Sequence, residues 1–268
     1  MAEYAPNPVR VFWSSAVLAK RALFAWLSPG LWMMQLFTMS LFSIAFFVYV
    51  ATYVDNPEVS VAFVAVGNAL QSVAYVSIFA VCNITGEEKS QGTLQAILVS
   101  PANRLSIFVG RAMFQIVNGL ATVAIAFFYA AFLFGVDFSS ANLLTLAAVV
   151  LVTTFAMTGF GLMLSSLGMY LRTSMVIANI FLFIGLLFSG VNFPVSRLPE
   201  WLQPIAYAIP LTYGTDAARA AVNGASVWEV GSLLFNMTVV GIVLVFVGYL
   251  IFRFFEWLSR RNGTMEQY

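Results

Sequence analysis

The sequence predicts an all-α integral membrane fold with six transmembrane helices, and three observations carry that prediction. Of the 268 residues, 61% are hydrophobic and 9% charged, against about 45–50% and about 25% in an ordinary soluble domain. The charges leave uncharged runs longer than the roughly 20 residues an α-helix needs to cross ~30 Å of hydrocarbon. Those runs mix Leu, Phe, Val, Ala and Gly, without the ten-residue alternation of barrel strands. A soluble enzyme is excluded by the same numbers, and so is a disordered chain, which needs high charge and few aromatics.

Taken in order, the uncharged runs are residues 22–54, 59–86, 112–136, 138–171, 173–196 and 230–252. The first lies too far into the chain and is too long for a cleavable signal peptide. Ten of the 12 Lys and Arg residues fall on one side of these runs: Arg10, Lys20, Arg21, Lys89, Arg104, Arg111, Arg172, Arg253, Arg260 and Arg261. Arg197 and Arg219 fall on the other, with Asp55, Glu58, Asp137, Glu200, Asp216 and Glu229. The positive-inside rule then places both termini in the cytoplasm, as expected of a multi-pass protein of a bacterial inner membrane. No charge sits near the middle of a run, which argues against a proton relay or a voltage sensor.

Three segments are not spans. Residues 8–28 read as a helix ahead of the first span, bounded by Pro8 and the Ser28–Pro29 break. At 100° per residue, Arg10, Ser14, Arg21 and Ser28 share one arc, and Phe12, Ala16, Ala19, Leu23 and Trp26 lie opposite. That pattern predicts a helix along the cytoplasmic interface, arginines at the headgroups and aromatics in the lipid.

The loop after the second run is the longest cytoplasmic excursion. Its Leu94, Ile97 and Leu98 form a short amphipathic turn suited to docking. Residues 191–229, on the outer side, carry Pro194, Pro199, Pro204 and Pro210, which forbid one continuous helix. Trp201, Leu202, Ile205, Ala206, Tyr207 and Ile209 are nevertheless too apolar for a free loop. Short helices dipping back into the outer leaflet reconcile the two, with Trp201, Tyr207 and Tyr213 in an interface belt.

Candidate chemistry is sparse. The chain has no histidine and one cysteine, Cys82, so disulfides, thiolate metal sites and histidine catalysis are not expected, and no metal site is predicted. A net charge of +1 supplies no field for nucleic acid. Glu88-Lys89-Ser90 is not a phosphate loop, because Asn83 and Glu88 stand where the two glycines should be. Asn68, Gln71, Asn118 and Asn179 are polar residues at span depth, either lining a path or bonding neighbouring helices. Gly159, Gly161, Ser165, Ser166 and Gly168 are small enough for close helix approach.

Two motifs resemble the type-2 permease family of ATP-binding-cassette exporters. The first is Glu88-Lys89-x-x-Gly92-Thr93-Leu94, followed by Leu98-x-Ser100-Pro101-x-x-Arg104. Ser90 stands where many members carry a second acidic residue. The second is Ser189-Gly190, Phe193-Pro194, Leu198-Pro199-x-Trp201-Leu202 and Pro210-Leu211-Thr212-Tyr213, with Arg219 similar to the family's arginine a few residues on.

The resemblance implies one permease domain over residues 1–268, with an interfacial helix at 8–28, a coupling region at 87–104 and a re-entrant region at 191–229 before the last span. It implies that Glu87, Glu88, Lys89, Gly92, Thr93, Leu94, Leu98, Pro101 and Arg104 couple to an ATPase. Phe193, Pro194, Pro199, Trp201, Tyr207, Pro210 and Tyr213 would form the outer gate. The partners implied are a second permease copy, two copies of a separate ATPase that holds ATP and magnesium, and the lipid membrane, with no cofactor on this chain. A neutral, aromatic path suits export of an amphiphilic, drug-like molecule. Polysaccharide, glycolipid or peptide cargo are the alternatives, followed by an autonomous channel or secondary transporter.

Overall fold

The side chain of Asn7 accepts the Val9 amide at 2.9 Å and Pro8 opens the first turn, so helix α1 (Pro8–Trp26) begins where the sequence places it. It ends because Leu27 is extended ahead of Ser28 and Pro29. The break makes α1 a separate helix from α2 (Pro29–Val54), so residues 22–26 of the first uncharged run do not belong to the span.

A computed structural model describes residues 7–262 except 55, 57–58, 83, 85–87, 89–91 and 171–173. The side chains at 26, 94–95, 98, 104–105, 168–170, 174, 256, 259–260 and 262 also lie outside that description. Among the described residues there is no strand.

Helix α3 (Val61–Val76) is capped by Ser60, whose hydroxyl accepts the Phe63 amide, and it widens into a π-helical turn over Ser77–Val81. A short α4 (Leu94–Val99) precedes α5 (Arg104–Phe132), α6 (Leu143–Tyr170) and α7 (Ser174–Phe188). After a 3₁₀ turn at Val195–Arg197 come α8 (Gln203–Tyr207), α9 (Pro210–Val222) and the last helix, α10 (Gly231–Asn262).

Among the described residues, five helical stretches are long and apolar enough to cross a membrane: Pro29–Val54, Val61–Val81, Ser106–Phe132, Leu143–Leu167 and Gly231–Phe255. The run at 173–196 falls short. It folds as a 15-residue helix, about 22 Å long at 1.5 Å per residue. Gly190 at φ +71 turns the chain just after the helix ends, at the start of the 191–229 segment that the sequence reads as no span.

α3 sits at the centre. Every side chain from 64 to 74 is buried, and α2, α5, α6 and α9 pack around it. Few residues of the outer helices α2, α5 and α10 are fully buried, as expected of spans whose other solvent is lipid or a partner.

Backbone approach is closest at glycines. A Cβ on Gly161 of α6 would lie 2.3 Å from the Ser77 carbonyl oxygen in the π turn. One on Gly241 of α10 would meet Ala156 Cβ at 2.8 Å, and one on Gly248 would meet Met163 Cα at 2.8 Å. Gly161 and Gly159 of the fourth run thus serve packing inside this chain, on the π turn of α3 and on α10.

α1 carries its apolar stripe partly onto protein. Its face of Phe12, Ala16, Ala19 and Leu23 is half-buried against α5, with Gly110 under the Phe12 carbonyl. The predicted stripe exists, and apart from Trp26, whose side chain is outside the description, it rests partly on protein. The large apolar residues left exposed on α1 are Val9, Trp13, Val17 and Leu18.

Candidate functional site

The helices run back and forth, so α1, α4, the start of α5 and the end of α10 share one end of the bundle, here the basic end. Phe108 and Phe252 meet there at 5.4 Å, in a small cluster with Val81, Ile84 and Ala112. Asp137, Glu200, Asp216 and Glu229 mark the opposite, acidic end.

At the basic end the chain leaves α3 through a built corner. The Thr93 amide donates to the Glu88 carbonyl at 2.9 Å across five residues, and Gly92 between them has φ +69. This is the ring that closes a Schellman helix end, with glycine in the left-handed position. The Thr93 hydroxyl donates to the Glu88 carboxylate, whose other oxygen pairs with Arg111 of α5. Glu88 is 1% exposed, so its charge is satisfied inside the protein, as a buried carboxylate must be. The Glu88…Gly92-Thr93 spacing therefore has a structural cause: Gly supplies the conformation and Thr the hydroxyl.

Beyond this corner lies α4. Its Val99 is exposed and Ile97 half-buried. Ser100 accepts the Ala102 amide and Asn103 the Ser106 amide, which stops α4 and starts α5. Gly92, Thr93 and Pro101 are exposed. Glu87 and Lys89 lie outside the described residues, as do the side chains of Leu94, Leu98 and Arg104.

At the acidic end, α9 is held on several sides. The Thr212 hydroxyl donates to the Ala206 carbonyl at 2.5 Å, and the Thr215 hydroxyl to the Ser189 carbonyl at 3.1 Å. The Asn142 amide donates to the Ala221 carbonyl at 2.9 Å, joining the α5–α6 loop to the end of α9. Pro210 is buried, Phe193, Pro194 and Tyr213 are half-buried, and Pro199, Trp201 and Tyr207 are exposed. Tyr207 and Tyr213 rings lie 5.8 Å apart, and burial with the neighbouring Tyr207 raises the Tyr213 phenol above its ordinary value.

Of the polar span residues, Asn68 and Gln71 are inside the bundle. Asn68 Nδ2 donates to the Val64 carbonyl and to Asn192 Oδ1 at 2.8 Å, bridging α3 to the stretch after α7. Asn118 is half-buried beside Gln115, and Asn179 is exposed, donating to the Met175 carbonyl. Reading the sequence alone overlooked Arg111 as the mate of Glu88 and Asn192 as the mate of Asn68. Neither pairing has a local signal, since 23 residues separate Glu88 from Arg111 and 124 separate Asn68 from Asn192.

Fold and corner together define a polytopic helical membrane protein with a pinned loop at its basic end. Residues 15–223 match the ABC-2 type transporter family, and the chain belongs to it. It is similar to the probable multidrug ABC transporter permease YbhR of Escherichia coli K12, with 24% identity over 200 residues, covering 74% of this chain and 54% of that protein. YbhR of E. coli O157:H7 matches to the same extent. The uncharacterized protein YhgE of Bacillus subtilis is 34% identical over 94 residues, 34% of this chain and 11% of the relative. The chain thus spans about half the length of the YbhR relatives it matches.

Proposed function

We propose that this chain is the permease subunit of an ATP-driven exporter that moves an amphiphilic, drug-like molecule out of the cell. The observation that carries the reading is the corner at Glu88–Thr93: a short helix is presented at the basic end on a buried ion pair, in a chain whose sequence offers no phosphate loop. Such a chain must borrow its energy, and α4 with its flanks is where a separate ATPase docks. Two permease copies with two ATPase copies form the working unit, and ATP with magnesium belongs to the ATPase. Both termini are cytoplasmic and the membrane is a bacterial inner membrane.

The cargo reading is supported by the exposed aromatic face of α2, with Phe42, Phe46, Tyr49 and Tyr53, and by the multidrug name of the relative. The path opens between the copies, beside α2 and the exposed Ile180, Phe183 and Leu187 of α7. In this reading α7 is the fifth of six crossings, completed by the irregular chain after Phe188, while α8 and α9 re-enter the outer leaflet.

Capture of the tagged, detergent-solubilised protein from its native membrane tests the assignment. Recovery of a stoichiometric nucleotide-binding subunit with vanadate-sensitive hydrolysis is the expected result. A preparation without that subunit that still moves solute in liposomes would overturn it in favour of a channel. The re-entrant reading has its own check. Trp201 is 74% exposed on the protein, so a variant keeping Trp201 as its single tryptophan should resist aqueous iodide in a bilayer and be quenched by brominated lipid. Full quenching in the bilayer would remove the re-entrant placement.

A further inference from the structure

Arg219 stands alone on α9 as a cation, yet its side chain is only 13% exposed. Its Nε and Nη2 donate to the Phe63 carbonyl at 3.4 and 3.2 Å, and Nη2 also donates to the Gly190 and Val191 carbonyls at 2.8 Å each. The guanidinium carbon lies 3.4 Å from the centre of the Phe63 ring, and Nη1 lies 3.6 Å from the Asp216 carboxylate. One planar fork thus joins the first turn of α3, the turn that ends α7, and α9. Lysine, a compact point charge, has no such reach in two directions.

The backbone around the fork is built for it. A Cβ on Gly67 would stand 2.3 Å from the Val191 carbonyl oxygen and 2.8 Å from Arg219 Nη2. Gly190 takes φ +71, and the Asn68–Asn192 bond lies alongside. Burial pushes the guanidinium down to about 10, with Asp216 opposing the shift, so it stays charged near neutral pH.

This junction has a mechanical position. The stretch Val61–Val81 is 21 residues long, about 30 Å at 1.5 Å per residue. One end carries the Arg219 junction, and the other leads to the Glu88 corner. α7 also meets α3 along a short stretch, the π turn that continues it, and α6. A displacement of α3 driven from the basic end reaches α7 at two places, the π turn and the carbonyls that Arg219 holds, and the second also ties in α9.

We propose that Arg219 is a positioning residue for export, a latch that makes the start of α3, the end of α7 and α9 move as one body, without which ATP hydrolysis proceeds with little cargo moved. This rests on the exporter reading above. The test uses the permease–ATPase complex in phosphatidylethanolamine/phosphatidylglycerol liposomes, with ethidium as cargo probe. All proteins carry Cys82→Ser and a reporter thiol introduced by Val191→Cys, at a position that is 0% exposed.

With Arg219→Gln, the expected ATPase rate stays within about two-fold of the parent, ethidium moved per ATP falls at least five-fold, and a membrane-impermeant maleimide labels the reporter thiol at least ten-fold faster. Arg219→Lys should fall between parent and Arg219→Gln. Unchanged ethidium per ATP or unchanged labelling in Arg219→Gln overturns the latch. Labelling is read without ATP, so it is independent of transport: a parent complex without ATP-driven flux, but with fast labelling in Arg219→Gln, refutes the exporter reading and supports the latch geometry. Failure of both variants to accumulate as monodisperse protein would assign Arg219 to folding alone and overturn the proposal.

Discussion

Glu88→Gln is expected to destabilise the permease itself, by about 3 kcal/mol, before any partner is considered. The substitution keeps a group that can accept from Thr93 but removes the anion that faces Arg111. Removing one member of a buried pair costs about 3–5 kcal/mol, because the survivor's charge is then uncompensated. The lower end applies, since the Arg111 side chain is 15% exposed against 2% for Glu88. Thermal unfolding of the detergent-solubilised permease, without ATPase, measures this.

The double variant Glu88→Leu with Arg111→Met should regain most of the loss, because an apolar pair of similar volume avoids desolvating two charges. If Glu88 instead touched the ATPase directly, as the motif resemblance implies, Glu88→Gln would weaken capture of that subunit and leave the permease's own unfolding unchanged. Capture and unfolding measured on the same variant separate the two roles. A buried pin predicts that both fall together and that the apolar pair restores unfolding first.

That contrast shows where sequence reading stops. Length and charge spacing are one-dimensional quantities, and the runs at 59–86, 112–136, 138–171 and 230–252 each hold a helix long enough to span. The Ser28–Pro29 break and the capping Asn7 are local signals too, and α1 ends where they say. What a helix buries is not local. Phe12, Ala16, Ala19 and Leu23 form an apolar stripe whether they face lipid or α5, and only Gly110, about 90 residues on, decides for α5. The apolar run at 173–196 carries Pro194 as a stop, but the helix ends six residues before it, at Phe188. Gly190 has a positive φ because its own carbonyl and that of Val191 must turn toward Arg219. The candidate site was legible as a motif, Glu88 with Gly92 and Thr93, but its meaning as a helix end with a buried carboxylate needed Arg111 in place.

The same limit gives the second large expected effect, at Gly161. A glycine-rich stretch in a span serves close packing either within a chain or between chains, and sequence alone does not choose. Here a Cβ at 161 would sit 2.3 Å from the Ser77 carbonyl oxygen and 2.9 Å from Val81 Cβ. Helix propensity alone would make Gly→Ala favourable by about 1 kcal/mol, so the sign depends on whether the obstacle can yield. A carbonyl inside the π turn Ser77–Val81 is backbone, and it moves only if α3 and α6 part.

Overpacking costs about 1–3 kcal/mol, and Gly161→Val should reach the upper end, with Gly161→Ala about 2 kcal/mol destabilised. Gly185→Ala, where nothing lies within 4 Å, is the matched control and should be neutral or slightly stabilising. Unfolding of the three variants at low protein concentration reads the packing term. Their mass in detergent by light scattering reads association. If Gly161→Ala left unfolding unchanged and instead lowered the mass, Gly161 would belong to a contact between copies, and the close approach of α6 to the π turn of α3 would not be what requires a glycine at this position.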